Sequence, residues 1–311
     1  MIRRFARRLR KARGQLCLDL GDYRQSVFLA GTGRSGTTWI QRVINYDNSF
    51  RVMFEPFHSS KVDLIKEWNY KQYLRSDNRD DKFLNPATRI LSGHIKHEWI
   101  DKFNRKLVAR KRLIKDIRAN LFLKWIKQNF TEIPIILLLR HPCAIANSKL
   151  KLGWDIHLSD FLTQEELMTD FLNPFKDEIE AAEATFDKHI FMWCVENYVP
   201  LRQFSKGEIL VTFYENLCDN PQKEIEDILS FVGVKFSPTV LEMAAKPSAL
   251  SRKDSAIFSG LDLVDSWRNN ISDKQITRAV EILSLFGLQA IYGEGYLPLL
   301  SGKDALKVLV A

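Results

Sequence analysis

Ser26 to Ala30 (SVFLA) is a short apolar run that stops at Gly31-Thr32-Gly33-Arg34-Ser35-Gly36, and Thr38 to Asn45 then carries helical spacing. A strand that feeds a glycine turn and then a helix leaves few options. The strand belongs inside a sheet, and the turn sits at its carboxyl end, where backbone N–H groups and the helix dipole face an anion. The rest of the chain repeats the alternation. Arg51 to Phe54, Thr88 to Ile95 (TRILSGHI), Arg112 to Lys115 and Glu208 to Phe213 read as strands. Ala119 to Asn129, Ala144 to Lys151, residues 175–204 and Pro221 to Val232 read as helices. Ile135 to Leu139 is continuously apolar, as in a parallel strand covered on both faces.

This pattern predicts an α/β fold: a single domain with a P-loop-like, doubly wound, mostly parallel sheet flanked by helices. The expected boundaries are a basic N-terminal tail over 1–22, the α/β domain over 23–300 and a C-terminal tail over 301–311. Residues 57–86, 152–175 and 246–270 lack a clear pattern and are expected to be lids or binding loops.

Charge narrows the functional classes. The chain has 46 Lys+Arg against 38 Asp+Glu, a net +8. Arg3, Arg4, Arg7, Arg8, Arg10, Lys11 and Arg13 supply +7 of this within 13 residues, so the remainder is near neutral and predicts no nucleic-acid partner. Residues 1–13 read either as a solvated terminus or as a basic helix resting on an anionic membrane surface. No apolar h-region follows them, so they make a poor signal peptide. No run approaches the ~18 apolar residues of a membrane span. Cys17, Cys143, Cys194 and Cys218 are widely spaced and read as free thiols in a reducing, cytoplasmic setting.

The glycine loop fits three templates. Gly31, Gly33 and Gly36 match G-x-G-x-x-G, and Glu55 stands 19 residues after Gly36, where a dinucleotide fold places its ribose-binding acid. That reading is an NAD(P)-dependent oxidoreductase. The nucleotide-triphosphatase P-loop is nearly matched, but Thr37 stands where that motif needs Lys. The third reading is direct capture of a phosphate or sulfate by the hydroxyls of Ser35, Thr37 and Thr38, the guanidinium of Arg34 and the ring of Trp39. A non-catalytic nucleotide- or membrane-binding protein is a further alternative.

A second anion site follows the best strand. Arg140 ends it, Pro142 suits the first turn of a helix, and Ser148 lies two turns on. Arg140 and Ser148 are placed to hold a second phosphate, away from the first.

Here a resemblance emerges. GTGRSGTTW resembles the 5′-phosphosulfate loop of the sulfotransferases, and LLLRHPCAIANS resembles their 3′-phosphate motif. Val211 to Pro221 (VTFYENLCDNP) and Ser266-Trp267-Arg268 resemble two later family segments, with Asn216 where Asp is usual. Arg34 in place of Lys, together with Phe54-Glu55-Pro56, is similar to the carbohydrate-type and bacterial branches. The resemblance implies 3′-phosphoadenosine 5′-phosphosulfate (PAPS) as donor, a hydroxyl or amine acceptor such as a carbohydrate or lipid, and no metal. It implies that Gly33, Arg34, Ser35, Gly36, Thr37 and Thr38 bind the 5′ end, and that Arg34 also stabilises the leaving oxygen. Trp39 and Tyr214 would contact adenine, and Arg140, Ser148 and Arg268 the 3′-phosphate. Glu55 is the first candidate general base and His94, on the expected strand, the second; Lys115 is placed to assist the leaving oxygen. His97, His141 and His189 read as structural. Trp68, Tyr70, Tyr73 and Trp154 read as either core or an aromatic platform for an acceptor.

Overall fold

The computed structural model of the chain describes residues 16–154, 156–246 and 264–309. The basic head and residues 247–263 lie outside them.

Five parallel strands form the central sheet: β2 (Ser26–Gly31), β3 (Arg51–Phe54), β5 (Arg112–Asp116), β6 (Ile135–Leu139) and β7 (Leu210–Phe213), in the order β3-β5-β2-β6-β7. β1 (Leu18–Asp19) and β4 (Val108–Ala109) pair separately. Alternate residues of β2 serve opposite faces, as strand geometry requires. Phe28 and Ala30 join the larger core with Ile114, Leu137 and Trp125, whereas Val27 and Leu29 join Leu113, Ile136 and Leu138. Helix α1 (Thr37–Ile44) covers the second face with Ile40 and Val43. On the first face lie α2 (Asp81–Leu91), α3 (Leu123–Asn129), α4 (Pro142–Leu150) and the long α5 (Thr185–Gln203). Because β2 sits between β5 and β6, the chain switches direction across it. The crevice beyond its carboxyl end is therefore the place such a sheet offers a ligand.

The expected strand over 88–95 is instead the end of helix α2. Asp80 caps that helix by accepting from the Lys82 amide, and Phe83, Ala87, Ile90 and Leu91 bury one helical stripe. The helix stops before Gly93, whose φ of +73° suits glycine. The expected helix over 175–204 is two pieces, Lys176–Glu180 and α5. Residues 301–311 contain helix Gly302–Val308, whose Ala305 and Leu306 are buried; a Cβ at Gly302 would overlap the Val211 carbonyl of β7.

The amino edge of the sheet holds buried charge that the apolar pattern hides. Arg51 and Arg112 open β3 and β5, and both are fully buried. Asp19 bridges them, at 3.1 Å to Arg51 Nη1 and 2.5 Å to Arg112 Nη1. Asp101 takes Arg51 at 2.9 Å, and Ser26 Oγ accepts from Arg112 Nε at 2.9 Å. Asp19→Ala leaves Arg112 without its carboxylate, so it is expected to cost roughly 3–5 kcal/mol. A urea titration against the parent measures this, and a loss below about 1 kcal/mol would contradict the assignment.

Candidate active site

The glycine turn is built by the lack of space for side chains. A Cβ at Gly31 would stand 2.6 Å from the Leu138 carbonyl and 2.9 Å from Ser35 Oγ. Gly36, with φ +101°, caps α1, and a Cβ there would meet the Tyr214 ring at 2.7 Å. No side chain caps α1, so its first-turn amides face the turn. Ser35 Oγ is fully buried and has no hydrogen-bond partner, an expensive state for a hydroxyl unless the turn receives a polar group. These features fit an anion such as a phosphate seated on Ser35, Thr37 and Thr38.

Arg34 departs from its expected position. It has a left-handed backbone, φ +80°, which costs a non-glycine residue on the order of 1–3 kcal/mol. Its side chain leaves the turn for α4, where Nε donates to Ser148 Oγ at 2.9 Å. Arg140 Nη1 donates to the Arg34 carbonyl at 3.2 Å, and its guanidinium lies 4.1 Å over the Tyr214 ring. Arg34, Arg140 and Ser148 thus form one cluster, and the two motifs touch where separate sites were expected. Trp39 packs edge-on against Tyr214 at 5.7 Å and donates to the Ala244 carbonyl at 2.9 Å.

A buried frame supports that cluster. Trp193 Nε1 donates to the Arg140 carbonyl at 3.0 Å. Glu215 accepts from the His141 amide at 2.8 Å and from Tyr292 Oη at 2.7 Å, so the Tyr214-Glu215 segment braces the end of β6. His141 caps α4 through Nδ1 and stacks on Trp267 at 4.6 Å; burial lowers its pKa to about 3. Arg268 lies 5.0 Å over Trp267 and pairs with Asp265 at 2.9 Å.

Glu55 closes β3, also with a left-handed φ of +46°. Its carboxylate accepts from Lys115 Nζ at 2.6 Å and from Arg118 Nη1 at 2.8 Å. Burial alone would raise its pKa, but Lys115 and Arg118 override this and hold it below the ordinary carboxylate value. The carboxylate that a dinucleotide fold would offer to a ribose is thus already paired with two cations. His94 is placed elsewhere. It is exposed, and it follows Gly93, whose carbonyl accepts from Arg51 Nη1 at the amino edge of the sheet, opposite the glycine turn. The cause is local: a helix, α2, occupies residues 81–91 where a strand was expected, so residue 94 never reaches a carboxyl strand end.

Beside the turn lies a cavity of about 240 Å³, lined by Gly33, Tyr70, Lys71, Lys149, Trp154 and His189 among others. Tyr70 and Trp154 are partly exposed there, whereas Trp68 and Tyr73 are core. Lys149 and His189 had no signal in the sequence beyond adjacency to Ser148 and the helical spacing of His189, Met192 and Glu196. Among the described residues, no three His, Cys, Asp or Glu side chains gather as a metal set would, and no helix is long and apolar enough to cross a membrane.

The family model of the sulfotransferase domain matches residues 24–283, and the chain belongs to that family. The members transfer a sulfuryl group, and this chain is a sulfotransferase. No curated protein matches it significantly in sequence. The sulfotransferase domain of the curacin biosynthetic pathway is 14% identical, with 85% of this chain and 97% of that one covered and a TM-score of 0.43. For the sulfotransferase domain of the Synechococcus PCC 7002 olefin synthase the figures are 14%, 84%, 94% and 0.45. For mouse sulfotransferase SULT7A1 complexed with PAP they are 17%, 84%, 84% and 0.43.

Glu55 also gives a stability prediction. Its folded pKa lies below the unfolded one, so its contribution is present above about pH 4.3 and is lost as pH falls through the folded value. Glu55→Gln is expected to destabilise by roughly 3–5 kcal/mol at pH 7, because Lys115 and Arg118 lose their shared counter-charge. Denaturant titrations should show that difference shrinking below pH 4; a pH-independent difference would contradict the pairing.

Proposed function

We propose that the chain transfers the sulfuryl group of PAPS to a hydroxyl or amine acceptor. The observation that carries this is the buried, unpartnered Ser35 hydroxyl within a turn that excludes side chains, joined directly to the Arg34–Arg140–Ser148 cluster. One nucleotide with an anion at each end matches this pair of adjoining donor sets.

Sulfuryl transfer moves a group between two oxygens in line, so the protein's task is positioning and charge stabilisation, as in phosphoryl transfer. The turn around Gly33 and Gly36, the hydroxyls of Ser35, Thr37 and Thr38 and the amino end of α1 hold the 5′-phosphosulfate. Arg140 and Ser148 grip the 3′-phosphate, with Arg34 beside them and Arg268 behind through Trp267. Trp39 and Tyr214 offer aromatic faces to adenine. Glu55 serves by fixing Lys115 and Arg118 at the carboxyl edge, where Lys115 can meet the charge on the leaving oxygen. An acceptor on a carbohydrate or lipid, and contact of residues 1–13 with an anionic membrane from the cytoplasmic side, belong to the same proposal.

The product analogue adenosine 3′,5′-bisphosphate tests the reading. At a hundredfold excess over its Kd it is expected to stabilise the protein by about 2.7 kcal/mol in a thermal-shift assay, with no effect from NAD. Arg140→Ala should weaken this binding by about 30-fold or more, since truncating a buried charged contact costs roughly 2–5 kcal/mol, while His94→Asn should leave it unchanged. A shift from NAD and none from the bisphosphate would overturn the proposal.

A further inference from the structure

We propose that the cavity beside Gly33 receives a single hydroxyl-bearing ring, and that His189 is the catalytic base that takes the acceptor's proton. This assignment rests on the PAPS reading, which supplies the donor.

Geometry places the cavity at the reacting end. Gly33, part of the phosphosulfate turn, forms one wall, and a Cβ there would touch Ile117 and Trp154, both also cavity residues, at 3.2 Å. The space of about 240 Å³ exceeds the roughly 150 Å³ of a cavity that holds benzene, so it has room for a substituted six-membered ring. Tyr70 and Trp154 offer ring faces, and Ile117, Ile156 and Met192 offer apolar sides. Such walls accept the face of a phenol or of a pyranoside alike.

His189, read from the sequence as structural, differs from both expected bases. Glu55 already accepts from two cations, and His94 lies at the far edge. His189 lines the cavity, is fully buried, and neither ring nitrogen has a hydrogen-bond partner. A buried imidazole in that state is stabilised by a hydroxyl donor entering the cavity. Burial, with Lys149 adding to it, lowers its pKa to about 4, so the ring is neutral and carries a free lone pair at physiological pH. The groups facing it are Lys149 of α4 and Glu196 of its own helix. Lys71, His157 and Asp160 share the cavity wall. Lys71 Nζ lies 2.5 Å from Glu196 and donates to the Ile117 carbonyl at 2.6 Å, which ties the wall to α5. Burial also lowers Lys149 to about 8.

The step balances. The acceptor oxygen forms a bond to sulfur as the bond from sulfur to the bridging oxygen of PAPS breaks. The electron pair of that bond leaves on the 5′-phosphate, and the acceptor proton moves to His189. Glu196, which Lys71 also pairs, is the carboxylate that faces the imidazolium, against the opposing charge of Lys149.

The test uses radiolabelled PAPS with para-cresol, para-nitrophenol and methyl β-glucopyranoside as probe acceptors, alongside the bisphosphate thermal shift. Para-nitrophenol ionises near neutral pH and needs no base; the other two do. His189→Asn is expected to lower kcat about 100-fold or more on para-cresol or on the glucoside, within the range of general-base catalysis. It should remain within about tenfold of the parent on para-nitrophenol and keep the bisphosphate shift. Which of the two base-dependent probes the parent sulfates separates a phenolic from a sugar acceptor. Met192→Trp, which fills the cavity from the same helix face, should raise acceptor KM about tenfold or more with the bisphosphate shift intact. Equal losses on all three probes, or His189→Asn rates within about threefold of the parent, would overturn the base assignment. Unchanged acceptor KM in Met192→Trp, or no sulfation of any ring probe by a bisphosphate-binding parent, would overturn the cavity assignment. A parent that fails to bind the bisphosphate would instead overturn the donor reading, and this assignment with it.

Discussion

A turn with no room for side chains governs this molecule. Gly31 lies against the Leu138 carbonyl of the neighbouring strand, and Gly36 against the Tyr214 ring. Both contacts depend on where β6 and the segment after β7 stand, so the shape of the turn is tied to the assembled parallel sheet. The same closeness strips Ser35 of partners and leaves the first turn of α1 without a side-chain cap. Affinity for an anion is therefore a by-product of packing: the fold leaves polar groups unsatisfied at one point, and a charged ligand satisfies them.

The sheet separates its charges by edge. At the amino edge, Asp19 and Asp101 neutralise Arg51 and Arg112 in a dry cluster that does no chemistry. At the carboxyl edge, Glu55 pairs with Lys115 and Arg118, the buried Asp116 lies beside Arg118, and Arg34 and Arg140 gather beside Ser148. The amino ends of β3 and β5 are thus closed by their own carboxylates, whereas the guanidinium groups of Arg34 and Arg140 gather at the end where the glycine turn lies.

The architecture was readable because parallel strands announce themselves. Ile135–Leu139 is uniformly apolar, and β2 runs straight into its glycines. Residues 88–95 show the limit: Thr88 and Ile90 carry strand propensity, but the Asp80 cap and the stripe through Phe83 and Ala87 make a helix. The glycine turn and the place of Arg140 at the end of β6 were legible because residue types and spacing encode them locally. The direction of the Arg34 side chain was not, since it depends on a left-handed φ at a non-glycine residue. His189 was hidden for a different reason. It lies on a helix with most of its residues buried, and its chemistry exists only where α5 meets α4 and the segment that bears Lys71.

That segment has a consequence of its own. Lys71 and Tyr70 come from an irregular stretch with little regular structure, pinned to α5 and to the Ile117 carbonyl by one ammonium group. The glycine turn, by contrast, is held by close contacts with the Leu138 carbonyl and the Tyr214 ring. Substitutions at Tyr70 and Lys71 can therefore reshape one wall of the cavity while the contacts that form the glycine turn stay as they are.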